Sequence, residues 1–379
     1  MSFFQRNAEK LIDWFTRRKS IGAMFVSAGI GLIALTVGPG LWSLVITGTL
    51  PPGFDVWSME FGQQPLSKIG LLSGLLFAVG FLVYGTFVLI QDRQLEQRQR
   101  VLVVEVLGLR NTTAPPLVDA VPSSIRGIRN SILIDLRQNI VDGEIYQPER
   151  ALEQVTTLPD QLRQQSSGLD RRDVHVVTGG LAPVPFLFLT GLLIDDESEV
   201  DFLDWDRHAT TWRELTGIET RLAFLSANLA DQAQHPEVAL CVSVSYRVNV
   251  DTVSTLGYPM VHLELPHRGT DTHWCEADQH RWVQTFLGVL MELEASGVRQ
   301  VHLFLAAPGS VALRLGRAYD KRNLPAVRVY QHERVGERST YPWALEMPVS
   351  GRSKPAIVTP NGDVISTTNR PSLDATGTI

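Results

Sequence analysis

The sequence contains few cysteines and lacks the motifs of common catalytic or metal sites. Only Cys241 and Cys275 occur among 379 residues, which excludes a disulfide framework and a CxxC zinc site. Four histidines lie near Cys275 in the chain, but no pair has a standard zinc-ligand spacing. GxSxG, HExxH, GxGxxG and a P-loop lysine are also absent. We therefore predict no catalytic residue, no metal, no cofactor and no enzymatic activity.

Charge is missing from two long stretches near the start of the chain. No Asp, Glu, Lys or Arg lies between Lys19 and Asp55, or between Lys68 and Asp92. As a helix, the second stretch is roughly 33 Å long, enough to cross a hydrocarbon core of about 30 Å. We predict a two-helix transmembrane hairpin over residues 21–92. Because neither span contains an ionisable residue, a transporter is disfavoured.

The residues that flank the hairpin predict its orientation. Lysines and arginines concentrate before the first span and after the second, whereas the loop between the spans contains one lysine and two acids. Both termini should therefore be cytoplasmic. Residues 1–20 combine an apolar face with basic residues, which predicts an amphipathic helix in the membrane interface.

The rest of the chain is acidic. The first hundred residues contain 9 basic and 6 acidic residues, and the remaining 279 contain 25 and 34. Long nucleic acids bind basic surfaces, so we predict that they are not partners. A small anionic ligand needs only a local site and stays possible.

The pattern after residue 100 is typical of an α/β fold, because β-branched apolar runs alternate with helical patterns. The predicted strands are Val101–Leu109, Ile132–Leu136, Val174–Val177, Val200–Leu203, Val238–Tyr246, Met260–Leu265, Val301–Leu305 and Val327–Tyr330. The predicted helices are Pro148–Gln165, Pro183–Leu193, Asp278–Ser296 and Pro308–Tyr319. Residues 350–379 should be mostly a flexible tail, with a hairpin around Pro360-Asn361-Gly362-Asp363.

The α/β region contains an internal repeat. Pro183 is followed after eight residues by Gly191, and Pro308 in the same way by Gly316. Each copy contains a strand, a small-residue loop, a helix and a strand that ends in an aromatic residue. We predict two tandem Rossmann-like units, residues 101–215 and 236–348, within one region over 101–348.

The two small-residue loops are candidate anion sites. Open α/β sheets bind ligands beyond the carboxyl ends of their strands, where helix N-termini offer free N–H groups. The candidate ligand-binding residues of these loops are Thr178, Gly179, Gly180 and Pro183 in the first unit and Ala307, Pro308, Gly309 and Ser310 in the second. The alternative is that both loops are ordinary tight connections between a strand and a helix.

Four further residues complete the predicted site. Trp205 and Tyr330 end corresponding strands and could stack on unpaired bases, although core packing is the more common role of such residues. Arg247 could pair with phosphate, and His332 follows Tyr330 closely. Solvated surface positions would account for this arginine and histidine equally well.

The stretch VHLFLAAPGSVALRLGRAY, followed by VRVYQH, resembles the signature of SAVED domains, and VHVVTGG with Gly191 and Trp212 resembles its first half. Behind two spans, this pair is similar to the two-transmembrane SAVED effectors of bacterial CBASS anti-phage systems. The resemblance implies two fused CARF-like units that sense a cyclic oligonucleotide made by a CD-NTase. It further implies ligand-induced homo-oligomerisation and disruption of the inner membrane.

Two other functions stay open on the sequence. One is a membrane-bound enzyme that processes small nucleotides, which predicts titratable residues clustered near the loops. The other is a membrane scaffold that binds no small ligand, for which the small-residue loops would be dispensable.

Overall fold

The computed structural model describes residues 21–37, 68–109, 115–141, 144–194, 199–227, 235–335, 338–349 and 354–365. The chain divides into two compact parts, Met1–Arg98 and Gln99–Ile379, which we call the N-terminal part and the C-terminal part. The predicted interfacial helix, the end of the first predicted span and residues 366–379 lie outside the described residues.

The N-terminal part contains α1 (Ile21–Val37) and α2 (Lys68–Arg98). Within α2, the segment Leu72–Gln94 is long and apolar enough to cross a membrane, whereas α1 has 17 residues. The two helices pack closely at glycine. A Cβ atom added to Gly85 would lie 2.7 Å from the carbonyl oxygen of Gly22, so no larger residue fits without movement.

The helices of the C-terminal part follow in chain order: α3 (Leu117–Ala120), α4 (Pro148–Thr156), α5 (Leu158–Ser166), α6 (Val184–Leu193), α7 (Val250–Ser254), α8 (Glu276–Ala295) and α9 (Gly309–Ala318). Two 3₁₀ turns, Arg137–Asn139 and Arg171–Asp173, lie between them. The long helix predicted over Pro148–Gln165 is divided at Thr157, because Pro159 has no N–H to donate to the preceding turn and is tolerated only in the first turn of a new helix, α5.

The strands of the described residues are β1 (Arg100–Leu107), β2 (Ile128–Asp135), β3 (Ile140–Val141), β4 (Glu144–Ile145), β5 (Val174–Leu181), β6 (Val200–Asp206), β7 (Thr211–Glu214), β8 (Leu225–Ala227), β9 (Glu237–Ser243), β10 (Met260–Glu264), β11 (Gln300–Ala306), β12 (Ala326–Tyr330), β13 (Glu333–Val335), β14 (Arg338–Thr340), β15 (Ala344–Glu346) and β16 (Ala356–Val358). All eight predicted strands are present, with shifted ends.

Two sheets confirm the α/β fold and its internal repeat. The first sheet has the strand order β2-β1-β5-β6-β7, and the second has the order β16-β15-β12-β11-β9-β10-β8. In each sheet four parallel strands are followed by one antiparallel strand, β7 or β15. The series β10-β9-β11-β12-β15 therefore repeats the first sheet in order and direction.

The two Rossmann-like units share one core. Side chains of β1 alternate: Leu102 and Val104 join the core that also includes α6, α9 and the second sheet, whereas Val103 lies on the outer face. Helix α6 is apolar on all sides, as its sequence VPFLFLTGLL indicates, and residues 185–192 are buried in this shared core.

Residues 354–365, within the predicted flexible tail, pair with the second sheet. Strand β16 pairs with β15 at the edge of the second sheet, and Ile357 and Val358 are buried. Gly362 has a φ of +92° in the turn between β16 and Val364, which matches the predicted hairpin. Residues 354–365 thus belong to the second unit, because their apolar side chains complete its core.

Candidate functional site

A pocket of about 160 Å³ opens at the carboxyl edge of the first sheet, on the outer face of that sheet. Strands β1, β2, β5 and β6 all end there, as expected for a ligand site of an open α/β sheet. The residues that line the pocket are Glu105, Leu107, Pro116, Leu133, Arg137, Leu181, Trp205 and Trp212.

Two tryptophans form one wall of this pocket. Trp205 of β6 is paired in antiparallel register with Trp212 of β7, and their rings meet edge to face with centroids 5.4 Å apart. Both rings are largely buried, at 7% and 5% exposure, so an aromatic ligand group could contact only the part of each ring that lines the pocket. The predicted stacking residue Trp205 therefore lies at a cavity.

Two charged side chains complete the lining. The N–H of Leu117 donates to Oε2 of Glu105 (3.0 Å), and burial raises the pKa of the Glu105 carboxyl, although this bond and the charge of Arg137 oppose the shift. Arg137 donates from Nε to Oδ1 of Asp135 (2.8 Å), a hydrogen bond that lowers the pKa of Asp135. The Arg137 side chain is 29% exposed, so solutes can reach its guanidinium.

The N-terminus of α9, a predicted anion site, is occupied by the protein itself. The N–H of Ser310 donates to Oδ2 of Asp204 (2.8 Å), and both residues are buried. A Cβ atom on Gly309 would collide with the carbonyl oxygen of Gly180. Gly180, Gly309 and Ser310 thus meet as a joint between the two units. A phosphate there would have to displace a carboxylate, and the role of these residues in ligand binding stays a prediction.

The joint is strongly polar. Burial raises the pKa of Asp204, but the nearby imidazole of His273 and the hydrogen bonds from Ser310 outweigh that effect, so the pKa lies below its usual range. Nε2 of His273 lies 3.3 Å from Oδ2 of Asp204. Gln279 donates from Nε2 to Oγ of Ser310 (2.8 Å). The Ser310 hydroxyl is thus already engaged within the protein.

The remaining predicted residues of the first loop are interior. Thr178 is fully buried and donates from its hydroxyl to the carbonyl oxygen of Val104 (3.1 Å). Gly179 lies under Trp212, with 3.0 Å between a Cβ placed there and the indole ring. Pro183 is the buried residue before α6. These three residues lie inside the fold, and of the three only Gly179 is placed against a residue that lines the pocket.

Tyr330, the counterpart of Trp205, is part of the core. Its ring stacks on Phe304 with centroids 4.4 Å apart, and its hydroxyl lies 2.9 Å from Nδ1 of His302. Tyr341 packs against Phe304 as well, with centroids 4.8 Å apart. Aromatic side chains thus fill the outer face of the second sheet at this end, so the position of Tyr330 fits the core-packing alternative, and stacking on a base stays a prediction.

The other predicted residues of the second unit lie at its surface. Arg247 is 67% exposed along its side chain and approaches Glu264 at 3.8 Å. His332 is exposed, with Nε2 3.2 Å from Oγ of Ser339. Ala307 and Pro308 are half-buried. Their role in ligand binding stays a prediction.

The sequence prediction missed Glu105, Arg137 and Trp212 as site residues. A signal existed for each of them. Glu105 is the one charged residue inside the apolar run Val101–Leu109, and Arg137 directly follows a predicted strand. Trp212 lies seven residues after Trp205, the spacing of a short hairpin. Strand pairing was needed to bring these signals together.

Family comparisons match both parts of the chain. The family model of the SAVED domain matches residues 158–347, which is half of the chain. Its description is "SMODS-associated and fused to various effectors sensor domain". The model of the SAVED-fused 2TM effector domain matches residues 1–152. The effector match extends past Arg98 through the first strands of the C-terminal part, so the boundary between the two family models does not coincide with the division of the structure at Gln99. No curated protein matches the sequence.

Solved structures of the Acinetobacter baumannii Cap4 SAVED/CARF-domain containing receptor are similar to this chain. The complex with the cyclic trinucleotide 2'3'3'-cAAA has 10% sequence identity and a TM-score of 0.39, over 69% of this chain and 55% of that chain. The complex with 3'3'3'-cAAA has 13% identity and a TM-score of 0.40, over 69% and 56%. A further structure of the receptor has 11% identity and a TM-score of 0.40, over 71% and 56%. The chain thus spans about half the length of these receptors.

Proposed function

We propose that this chain, which belongs to the SAVED family and carries a SAVED-fused two-transmembrane effector domain, is a membrane-anchored receptor for a cyclic oligonucleotide in CBASS anti-phage defence. The ligand, made by a CD-NTase, binds the C-terminal part and favours a homo-oligomer. The oligomer disrupts the bacterial inner membrane, with both termini on the cytoplasmic side. The protein acts as a sensor and effector and not as an enzyme.

One observation carries this proposal for the C-terminal part: the pocket of the first sheet combines indole rings with a guanidinium. Nucleotides present an aromatic base and an anionic phosphate, and Trp205 and Arg137 offer the matching groups. Asp135 takes two of the five N–H groups of Arg137. The other N–H groups are available for a phosphate oxygen.

The size of the pocket indicates how much of the ligand it encloses. Its 160 Å³ is smaller than the roughly 300–1,000 Å³ of pockets that bury a drug-sized ligand. The pocket therefore encloses at most one base of the ring, set against the tryptophans, with the attached phosphate at the pocket mouth beside Arg137. The other nucleotides lie against the rim, where a second protomer can contact them.

The effector step requires that the ligand bind the assembled state more tightly than the single protomer. A ligand of equal affinity for both states shifts nothing, however tightly it binds. Nucleotides left exposed at the rim supply such a difference, because only an assembled neighbour can bind them. Assembly then brings many apolar hairpins together in one patch of membrane.

The test is a calorimetric titration of full-length protein in detergent with each member of a panel of cyclic di- and trinucleotides. At least one cyclic oligonucleotide should bind, and its linear counterpart should bind more weakly. Arg137→Ala should weaken binding about 10- to 100-fold, the value of a charge-assisted hydrogen bond of ~1.5–3 kcal/mol. Folded protein that binds no member of the panel would contradict the receptor function.

Two matched variants locate the site. Arg172→Ala removes an exposed arginine from the 3₁₀ turn at the opposite, amino end of β5 and should leave affinity unchanged. Arg247→Ala tests whether the phosphate instead binds the second unit, where the sequence predicted that Arg247 pairs with it. A loss of affinity in Arg247→Ala but not in Arg137→Ala would place the phosphate at the second sheet. Dye release from liposomes that contain the full-length protein measures the effector step in the same variants.

A further inference from the structure

We propose that Asp204 is a positioning residue, which ties the pocket residue Trp205 of the first unit to the first turn of α9 in the second unit. The proposal rests on the proposed function of the pocket. A ligand that moves Trp205 would thereby move the joint between the two Rossmann-like units.

The geometry at Asp204 is that of a two-sided link. Oδ1 of Asp204 accepts the N–H of Trp205 (2.7 Å), and Oδ2 accepts the N–H of Ser310 (2.8 Å). The two oxygens of one carboxylate therefore serve two elements that are 106 positions apart in the chain. Asp204 is 5% exposed, so solvent does not compete for these bonds.

Further residues of the second unit surround Oδ2 of Asp204 and the Ser310 side chain. Nε2 of His273 lies 3.3 Å from the same Oδ2, and Gln279 connects the Ser310 hydroxyl with the carbonyl oxygen of His273. Each of these residues is buried. A shift of Asp204 thus acts on α9, on the start of α8 and on the segment before it.

On the first-unit side of Asp204, the close packing leaves little room for movement. Gly309 lies so close to the carbonyl oxygen of Gly180 that no side chain fits between β5 and α9. The ring of Trp205 packs edge to face against the ring of Trp212. Packed interiors respond to displacement by switching between discrete arrangements, so movement of Trp205 is transmitted and not absorbed.

The chemistry also requires a carboxylate at this position. N–H groups approach both oxygens of Asp204, and the positive end of the α9 dipole faces it. An asparagine would turn an NH₂ group toward one of these donors. Asp206, two residues later, accepts the N–H groups of His208 and Ala209 in an exposed turn, and it provides a matched control.

The experiment is a double-mutant cycle measured by hydrogen exchange on full-length protein in detergent, without ligand. The variants are Asp204→Asn, Trp205→Phe, the double variant and the control Asp206→Asn. We expect Trp205→Phe to raise exchange at the first turn of α9 at least threefold. We expect Asp204→Asn to raise exchange there and at the end of β6, and Asp206→Asn to leave α9 unchanged.

The coupling is read from the double variant. If Asp204 transmits the change, Trp205→Phe adds nothing at α9 in the Asp204→Asn background. Effects that multiply in the double variant would overturn the proposal. So would a Trp205→Phe effect confined to β6 and β7, and this outcome can be measured even if Asp204→Asn does not fold. A receptor that binds no cyclic nucleotide would fail the panel titration and leave this cycle unaffected.

Discussion

The close crossing of α6 and α9 gives a sharp test of how the two units fit together. Gly316 of α9 faces α6: a Cβ atom added there would lie 2.7 Å from the carbonyl carbon of Phe188, and closer still to its oxygen. The counterpart Gly191 of α6 faces the carbonyl group of Leu313 at similarly short distance. Ordinary van der Waals contact begins near 3.4 Å. Gly316→Ala therefore forces the helices apart by more than half an ångström.

Two opposing effects set the magnitude for Gly316→Ala. Alanine favours the helix over glycine by roughly 1 kcal/mol. Overpacking a tight core costs about 1–3 kcal/mol and occasionally more. A carbonyl group on a packed helix cannot turn aside as a flexible side chain can, so the cost falls at the upper end. We expect a net loss of about 1–2 kcal/mol, or roughly 2–8 °C in Tm for a part of this size.

The assay is thermal unfolding of the full-length protein in detergent, followed by near-ultraviolet circular dichroism. Gly288→Ala is the matched control, because Gly288 lies within α8, is exposed and has no atom within 4 Å of an added Cβ. This control should raise Tm slightly, by helix propensity alone. If Gly316→Ala also raises Tm, the helices are not in the close contact described, and the reasoning about the joint fails.

Two further predictions concern the pocket and the hairpin. Burial raises the pKa of Glu105 above its ordinary value near 4.5, so the stability it contributes is fully present below that value and is lost as pH rises through the raised pKa. Glu105→Gln stays neutral, so its Tm relative to the native protein should be higher at pH 7 than at pH 4; an equal difference at both pH values would contradict this. In the N-terminal part, Gly85→Leu should collide with the backbone of α1 and reduce ligand-induced dye release from liposomes, whereas Gly80→Leu, with open space around it, should not. Equal release from both variants would show that packing between α1 and α2 is not needed for the effector step.

Much of the fold was predictable because it depends on local patterns. The uncharged stretches near the start, the β-branched runs and the spacing from Pro183 to Gly191 and from Pro308 to Gly316 are properties of neighbouring residues. A repeat folds in the same way twice, so the shared strand order of the two sheets followed from it. Pro159 shows the limit, since one residue divided a helix that its periodicity had predicted as continuous.

The site was less predictable because it depends on residues distant in sequence. Trp205 was identified from the repeat, but Glu105 and Arg137 reach the same pocket only through the pairing of β1 with β2 and β5. Tyr330 occupies the corresponding place in the second unit, yet neighbouring aromatics enclose it. Whether a strand-end aromatic lines a cavity or fills the core depends on what the opposite elements bring to it.

The sequence by itself therefore determined the apolar helices α1 and α2, the two α/β units and the type of residue at each strand end. Only the tertiary structure decided that the N-terminus of α9 holds Asp204, 106 positions earlier in the chain, where a phosphate had been predicted. The physical reason is that a free helix N-terminus attracts any anion, and the carboxylate of the neighbouring unit is already buried beside it. The local sequence determines that a helix begins at Gly309 and that its N-terminus attracts an anion. The packing of the two units determines that this anion is the carboxylate of Asp204.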